Sequence, residues 1–267
     1  MGRNIRIDYR WGTANPQQAT ANAKELIDLK PDLILVQSTP GVAALLRETR
    51  TIPIVFLGVA DPMGSGFIES MARPGGNITG FSNFEITMAG KWLELLKEIA
   101  PAMRRSLVLV HPTSTPDLAY LRAAEIAAPS MALQLVPARL RESADIEIAI
   151  KGFAQDPSGG LVVLPDIFMT VHRHQIISLA AKHQLPAVYG FRLFVTKGGL
   201  ISYGVNPLDP WQQVPSYVDR ILHGEKPQDL RVQAPTKFEL HINLKTAKAL
   251  GLTVPTSLLA RADEVIE

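Results

Sequence analysis

The chain has 267 residues, of which 46% are hydrophobic and 19% charged, so it carries enough apolar material for one large core or two smaller ones and is far from the composition of a disordered chain. Its 27 basic and 25 acidic residues leave a formal net charge of +2 and are scattered, which marks no surface for nucleic acid. The absence of cysteine removes thiol nucleophiles, disulfides and thiolate metal sites, and fits either the cytosol or the periplasm.

The opening residues Met1 to Asn4 lead directly into polar chain, with no apolar core of a signal peptide, so nothing in them reads as an export signal. No stretch approaches the roughly 18 consecutive apolar residues of a membrane span. Asp32 to Val36 is a short apolar run followed by a helix-length stretch, Gly41 to Thr49. Ile54 to Leu57 is followed by a second such stretch, Met63 to Ala72, and then by a glycine- and asparagine-rich strip, Pro74 to Gly80. In Met88 to Ile99 the side chains Trp92, Leu93, Leu96 and Ile99 recur on one helical face while Lys91, Glu94 and Lys97 lie outside it, and Pro101 stops the helix. Leu107 to Val110 precedes the helical Pro116 to Ala128, Leu161 to Leu164 precedes Val171 to His183, and Ala187 to Tyr189 follows. A second glycine-rich strip spans Lys197 to Gly204, and a helix through Tyr217 to Leu222 ends in a His223-Gly224 cap with Pro227 beyond it.

This alternation predicts an α/β fold with parallel sheets buried on both faces, because near-continuous apolar strands are what two covering helix layers require. Pro31, Pro53 and Pro186 stand just before strands and argue against an all-helical chain. The two glycine strips divide the strand–helix units into two series and supply the permissive backbone that a hinge needs, which suggests two lobes: residues 1–82 with 205–228 returning, and residues 83–204 with 229–267 crossing back.

His172 and His174 invite a metal reading, but two positions along a helix are about 200° around its axis, so they face different ways. Ser65 lacks the frame of a nucleophile elbow, and Gly75, Gly76 and Gly80 neither spell a dinucleotide fingerprint nor open a helix. No metal, cofactor or catalytic centre is expected. Polar residues after predicted strands remain, where open α/β sheets bind ligands. Ser38 and Thr39 present hydroxyls beside free backbone N–H groups at a helix start, a seat for a carboxylate, or simply a helix cap. Asp61 and Asp166 follow two other strands and are acceptors for an ammonium, or ordinary turn residues. Ser82 joins them at a third strand end, and Phe81, Phe84, Phe168, Tyr189, Phe191 and Tyr203 crowd these loops, able to clasp an apolar side chain or to pack in the core. The ligand-binding set expected is therefore Ser38, Thr39, Asp61, Ser82, Asp166, Phe168, Tyr189 and Tyr203.

Three stretches, Val59 to Gly66, Ala72 to Gly80 and Lys91 to Lys97, resemble the ABC-transporter substrate-binding protein family that includes tryptophan- and tyrosine-type binding components. The tail Asn243 to Leu252, then Pro255 and Leu258 to Asp263, resembles it too. The resemblance implies a type I periplasmic binding protein whose two Rossmann-like lobes close about a hinge over a small amino-acid-like ligand, serving ABC permease subunits in the periplasm and catalysing nothing. It places Asp166 on the cleft rim and His172 in the helix behind it. It also implies a first strand and helix, and a signal peptide, ahead of a segment like Gly2 to Trp11, with an edge exposed beside Leu33, Leu35, Ile54 and Val55 where that strand would lie. A sensory domain of a signalling protein shares this fold, and a doubly wound enzyme is the remaining alternative; neither reading involves nucleic acid or insertion in a membrane.

Overall fold

The structure, a computed structural model, describes residues 5–11, 15–83, 85–156, 158–206 and 208–267. In chain order the elements are α1 (Pro16–Asp28), β1 (Ile34–Gln37), α2 (Thr39–Glu48), β2 (Ile54–Val59), β3 (Ile78–Ser82), α3 (Met88–Ile99), β4 (Arg105–Val110), α4 (Thr115–Ala127), β5 (Gln134–Arg139), α5 (Ser143–Phe153), β6 (Gly159–Val163), α6 (Ile167–Val171), α7 (Arg173–Lys182), β7 (Ala187–Tyr189), α8 (Arg192–Val195), β8 (Ile201–Val205), α9 (Asp209–Leu222), β9 (Phe238–Asn243), α10 (Leu244–Ala249), α11 (Thr256–Leu259) and β10 (Glu264–Ile266). They fall into two compact units, residues 1–84 with 207–235 and residues 85–206 with 236–267. Among the described residues no helix is long and apolar enough to cross a membrane.

In the first unit β1, β2 and β3 form a parallel sheet in that order, with Ile34 opposite Ile54 and Ile54 opposite Ile78. Alternation sends Ile34, Ile54, Phe56 and Ile78 to one face, where Ala23 of α1 and Val42 and Leu45 of α2 cover them. Val55, Leu57 and Phe81 go to the other face, against Val214, Tyr217 and Ile221 of α9. Each such side chain withdrawn from water contributes about 1.5–3 kcal/mol. Asn15 caps α1 by accepting the N–H groups of Gln17 and Gln18 at 2.9 and 3.2 Å. The returning segment stays in this unit as far as residue 235, beyond the 228 expected, because Val232 donates to the Met71 carbonyl, Gln233 donates to the Gly80 carbonyl, and Thr79 Oγ1 donates to the Leu230 carbonyl.

Three expectations for this unit are corrected. Met63 to Ala72 is a turn-rich loop and no helix, since Gly66 takes a left-handed φ of 70° and Asp61 ties the start of the loop into a turn. The strip Pro74 to Gly80 leads into and through β3 and lies away from the crossings between units at 84–85, 206–207 and 235–236. Its last glycine answers a packing need: a Cβ on Gly80 would strike the backbone of Phe56. The exposed edge is narrower than expected, for Ile54 and Val55 are fully buried because β2 is the middle strand. Leu35, on β1, is 39% exposed, and Ile5, Ile7, Tyr9 and Trp11 are exposed in a segment that joins no ladder among the described residues. Met1 to Asn4 lie outside the described residues.

In the second unit the sheet has seven strands in the order β10-β9-β8-β7-β6-β4-β5. Strands β4 to β8 are mutually parallel, and β9 runs antiparallel to β8. Leu107, Leu109, Leu161 and Val163 pack on Ile146 and Ile150 of α5 and Ile176 and Leu179 of α7. α3 and α4 cover the opposite face, with Trp92 against Tyr120 at 5.0 Å between ring centroids. The helix expected over Val171 to His183 is two helices that break at His172, whose φ of −91° and ψ of 14° are not helical. The second glycine strip also lies within a unit, leading into β8, where a Cβ on Gly204 would strike the Gly190 carbonyl.

Two outcomes follow from these contacts. The N–H groups of Ile34 and Ser38 point toward β2, so alternation turns those of Leu35 and Gln37 to the outer edge; they are expected to exchange with deuterium faster than the amides of Leu107 to Leu109, and equal protection would show that the edge is covered. Gly80→Ala is expected to destabilise the first unit by about 1–3 kcal/mol through backbone displacement, read as faster exchange in β2 and β3 with β4 and β6 unchanged.

Candidate functional site

The carboxyl edge of the second unit's sheet gathers a compact acidic and aromatic group. β4 and β6 are neighbours, with Leu109 opposite Val163, so the residues that follow them emerge side by side. After β6, Asp166 caps α6: its Oδ1 accepts the Phe168 N–H at 2.6 Å, and Thr170 Oγ1 donates to its carbonyl at 2.9 Å. That turn sets the Phe168 ring between His111, which follows β4, and His172, at centroid distances of 5.5 and 4.5 Å. Asp166 and Phe168 are half-buried.

Behind them lies an acid for which sequence reasoning assigned no role. Ser114 caps α4 and Pro116 follows in its first turn, a start that turns Asp117 inward; the residue is 1% exposed. Its Oδ2 accepts the His111 N–H at 2.8 Å, and its own N–H donates to Ser114 Oγ at 3.4 Å. Burial, and after it the charge of Asp166, push the Asp117 carboxyl up to about 8, against the opposing pull of the hydrogen bonds from His111 and Ser114. The signal was present as Ser114-Thr115-Pro116-Asp117, which reads as an ordinary capped helix start until β4 and β6 are placed side by side.

At the corresponding edge of the first unit, Ser38 and Thr39 join β1 to α2 and are half-buried. Ser38 holds a φ of 94° and a ψ of 148°, a strained region for a residue with a side chain, and makes no side-chain cap on α2. The N–H groups at the start of α2 are thus left without the cap oxygen that a serine there usually supplies. Asp61 follows β2, but its Oδ1 accepts the Gly64 N–H at 2.8 Å and its carboxylate lies over its own loop, the work of a turn residue.

Three of the expected ligand residues are engaged elsewhere. Ser82 is 3% exposed and donates from Oγ to the Val59 carbonyl at 3.1 Å, stapling β3 to β2. Tyr189 is 1% exposed on the interior strand β7 and stacks on Phe194 at 4.7 Å, so burial raises its phenol and it belongs to the core. Tyr203 stacks on Phe238 at 5.9 Å beside the start of α3, where Glu85, Thr87 and Lys91 line a depression of about 260 Å³. Phe81 lies in the core under α9, and Phe84 falls outside the described residues. Of the histidine pair, His172 meets Phe168 while His174 is exposed. Ser65 sits in the Asp61 loop with its N–H on the Asp61 carbonyl.

The second unit's edge therefore offers acidic oxygens beside an aromatic ring, suited to a cation carried by an apolar or aromatic body. The first unit's edge offers hydroxyls and helix-start N–H groups, suited to an anion.

Known proteins are similar to the chain in sequence and in fold. The family model described as ABC transporter substrate binding protein matches residues 1–266. A tyrosine-binding protein of Clostridioides difficile is 26% identical over 254 residues, covering 94% of this chain and 72% of the relative. The crystal structure of a conserved domain protein of Vibrio cholerae is 30% identical with a TM-score of 0.93, over 99% of this chain and 88% of that one. An ABC domain from Streptococcus pneumonia in complex with L-Trp, 22% identical, has the same fold with a TM-score of 0.91 over 98% of this chain and 90% of its own. The chain belongs to the ABC transporter substrate-binding protein family, whose members bind small ligands, work with ABC permeases and are not enzymes.

Proposed function

We propose that the chain is the solute-binding component of an ABC importer and that its ligand is a zwitterionic amino acid with an aromatic or other apolar side chain. The observation that carries this reading is the pairing of Asp166 with Phe168 at the carboxyl edge of the second unit, an acceptor for an ammonium next to a ring for a side chain. Ser38 and Thr39 supply the complementary chemistry, donors for a carboxylate at the uncapped start of α2. The tyrosine-binding relative supports the same ligand class.

On this reading nothing is catalysed. The ligand favours whichever conformation of the chain has the higher affinity for it, and the permease responds to that conformation. The setting is extracellular or periplasmic, as for the family.

A thermal-shift and calorimetry screen of the twenty amino acids tests the ligand class, with stabilisation by L-tyrosine or L-tryptophan expected and stabilisation by none counting against it. Asp166→Ala is expected to weaken binding by about 1.5–3 kcal/mol, the scale of a charged hydrogen bond, while leaving the fold intact; unchanged affinity would return Asp166 to the role of a helix cap.

A further inference from the structure

Asp117 has no part in the capping of α6 or in the aromatic stack, yet it is buried at the back of the same group. It faces His111 from the end of β4, Asp166 from the turn into α6, and Ser114 from its own helix; His172 lies beyond Phe168. α3, packed along α4, brings Trp92 against Tyr120, while its Lys91 and Glu94 pair with each other at 3.0 Å. Arg173, at the start of α7, donates to the Thr170 carbonyl at 2.9 Å, and among the described residues Asp117 has no ion-pair partner. Two carboxylates that share a site with no positive partner cannot both ionise cheaply, and the more buried one keeps its proton.

We propose that a ligand ammonium arriving beside Asp166 drives the proton off Asp117, so that ligand uptake and proton release are one coupled event. This rests on the reading of Asp166 as the ammonium acceptor. The balance is simple: the O–H bond of the Asp117 carboxyl breaks, the proton passes to solvent, and no other bond changes. Before binding, Asp117 adds no charge; after it, the Asp117 carboxylate offsets the positive charge of the ligand, so the net charge of this buried corner is the same before and after. Backbone donation from His111 to Oδ2 favours the ionised form once the cation is present.

The sign follows from the direction of the shift. With the empty-state carboxyl at about 8 and the bound-state value lower, binding near neutral pH releases a proton, and affinity rises with pH up to about 8. Ordinary carboxylates, ionised throughout this range, give no such slope.

The test is calorimetry of L-tyrosine with the whole chain at pH 7 in buffers of different ionisation enthalpy, which counts protons. About one proton released per ligand is expected. Asp117→Asn keeps an acceptor for the His111 N–H and resembles the protonated acid; it is expected to bind L-tyrosine with no proton release and a flat affinity between pH 6 and 8. 3-(4-Hydroxyphenyl)propionate, which lacks the ammonium, is expected to bind more weakly and to release none. Binding of L-tyrosine with no proton released, or with release that survives Asp117→Asn, overturns the coupling and leaves the ligand reading standing. Failure of L-tyrosine and every other amino acid to bind overturns both.

Discussion

The constraint on which the rest depends is that a parallel strand cannot be reached by a tight turn. Each crossover must travel back over a face of the sheet, by a helix in most cases and by a long loop between β2 and β3, so the strands are apolar on both sides and their carboxyl ends line up along one edge. In the second unit this puts the exits of β4 and β6 side by side, and His111, Asp117, Asp166 and Phe168 meet there although 55 residues separate the first from the third in sequence. The edge is also where helices begin, so backbone N–H groups and capping side chains concentrate at it. Asp166 serves both functions at once: one oxygen holds the start of α6, and its charge is felt by Asp117.

The same dense packing explains why glycine appears where it does. Gly80 and Gly204 lie in strands that pass so close to the backbones of Phe56 and Gly190 that no Cβ fits. Both stand in glycine-rich strips, and glycine is chosen there for contact rather than for motion at the crossings between units. Glycine permits unusual dihedrals and close approach alike, and the sequence shows only the residue, never which permission is used.

A buried acid differs from a buried apolar residue in that its state depends on its surroundings. Asp117 is 1% exposed, and the hydrogen bonds from His111 and Ser114 do not outweigh the effect of burial, so its carboxyl is held above the usual range. Helix starts in α/β sheets are natural places for such groups, because a capping position turns the side chain toward the strand exit where ligands bind. A capping residue and a ligand-responsive residue therefore look alike in sequence.

What the sequence determined by itself is whatever rests on periodicity. Ile34, Ile54, Phe56, Leu107 and Val162 read as double-faced parallel strands, Trp92 to Ile99 as an amphipathic helix, and Gly224 as a helix end, because burial and capping act over a few residues. The family was legible for a similar reason, being carried by contiguous stretches such as Ala72 to Gly80. Asp166 and Phe168 were singled out because they directly follow a strand, and the structure places them at the carboxyl edge of the sheet. Tyr189 and Ser82 follow or end strands as well and turned out to be core, since the direction of a side chain at a strand end depends on which neighbour covers it. Only the tertiary structure decided that Asp117 is buried against the exit of β4, that Asp61 is spent on its own loop, and that the chain returns to the first unit as far as residue 235. Each of these is a relation between segments distant along the chain or a choice among hydrogen-bond partners, and local sequence carries no energy term for either until the strand order is set.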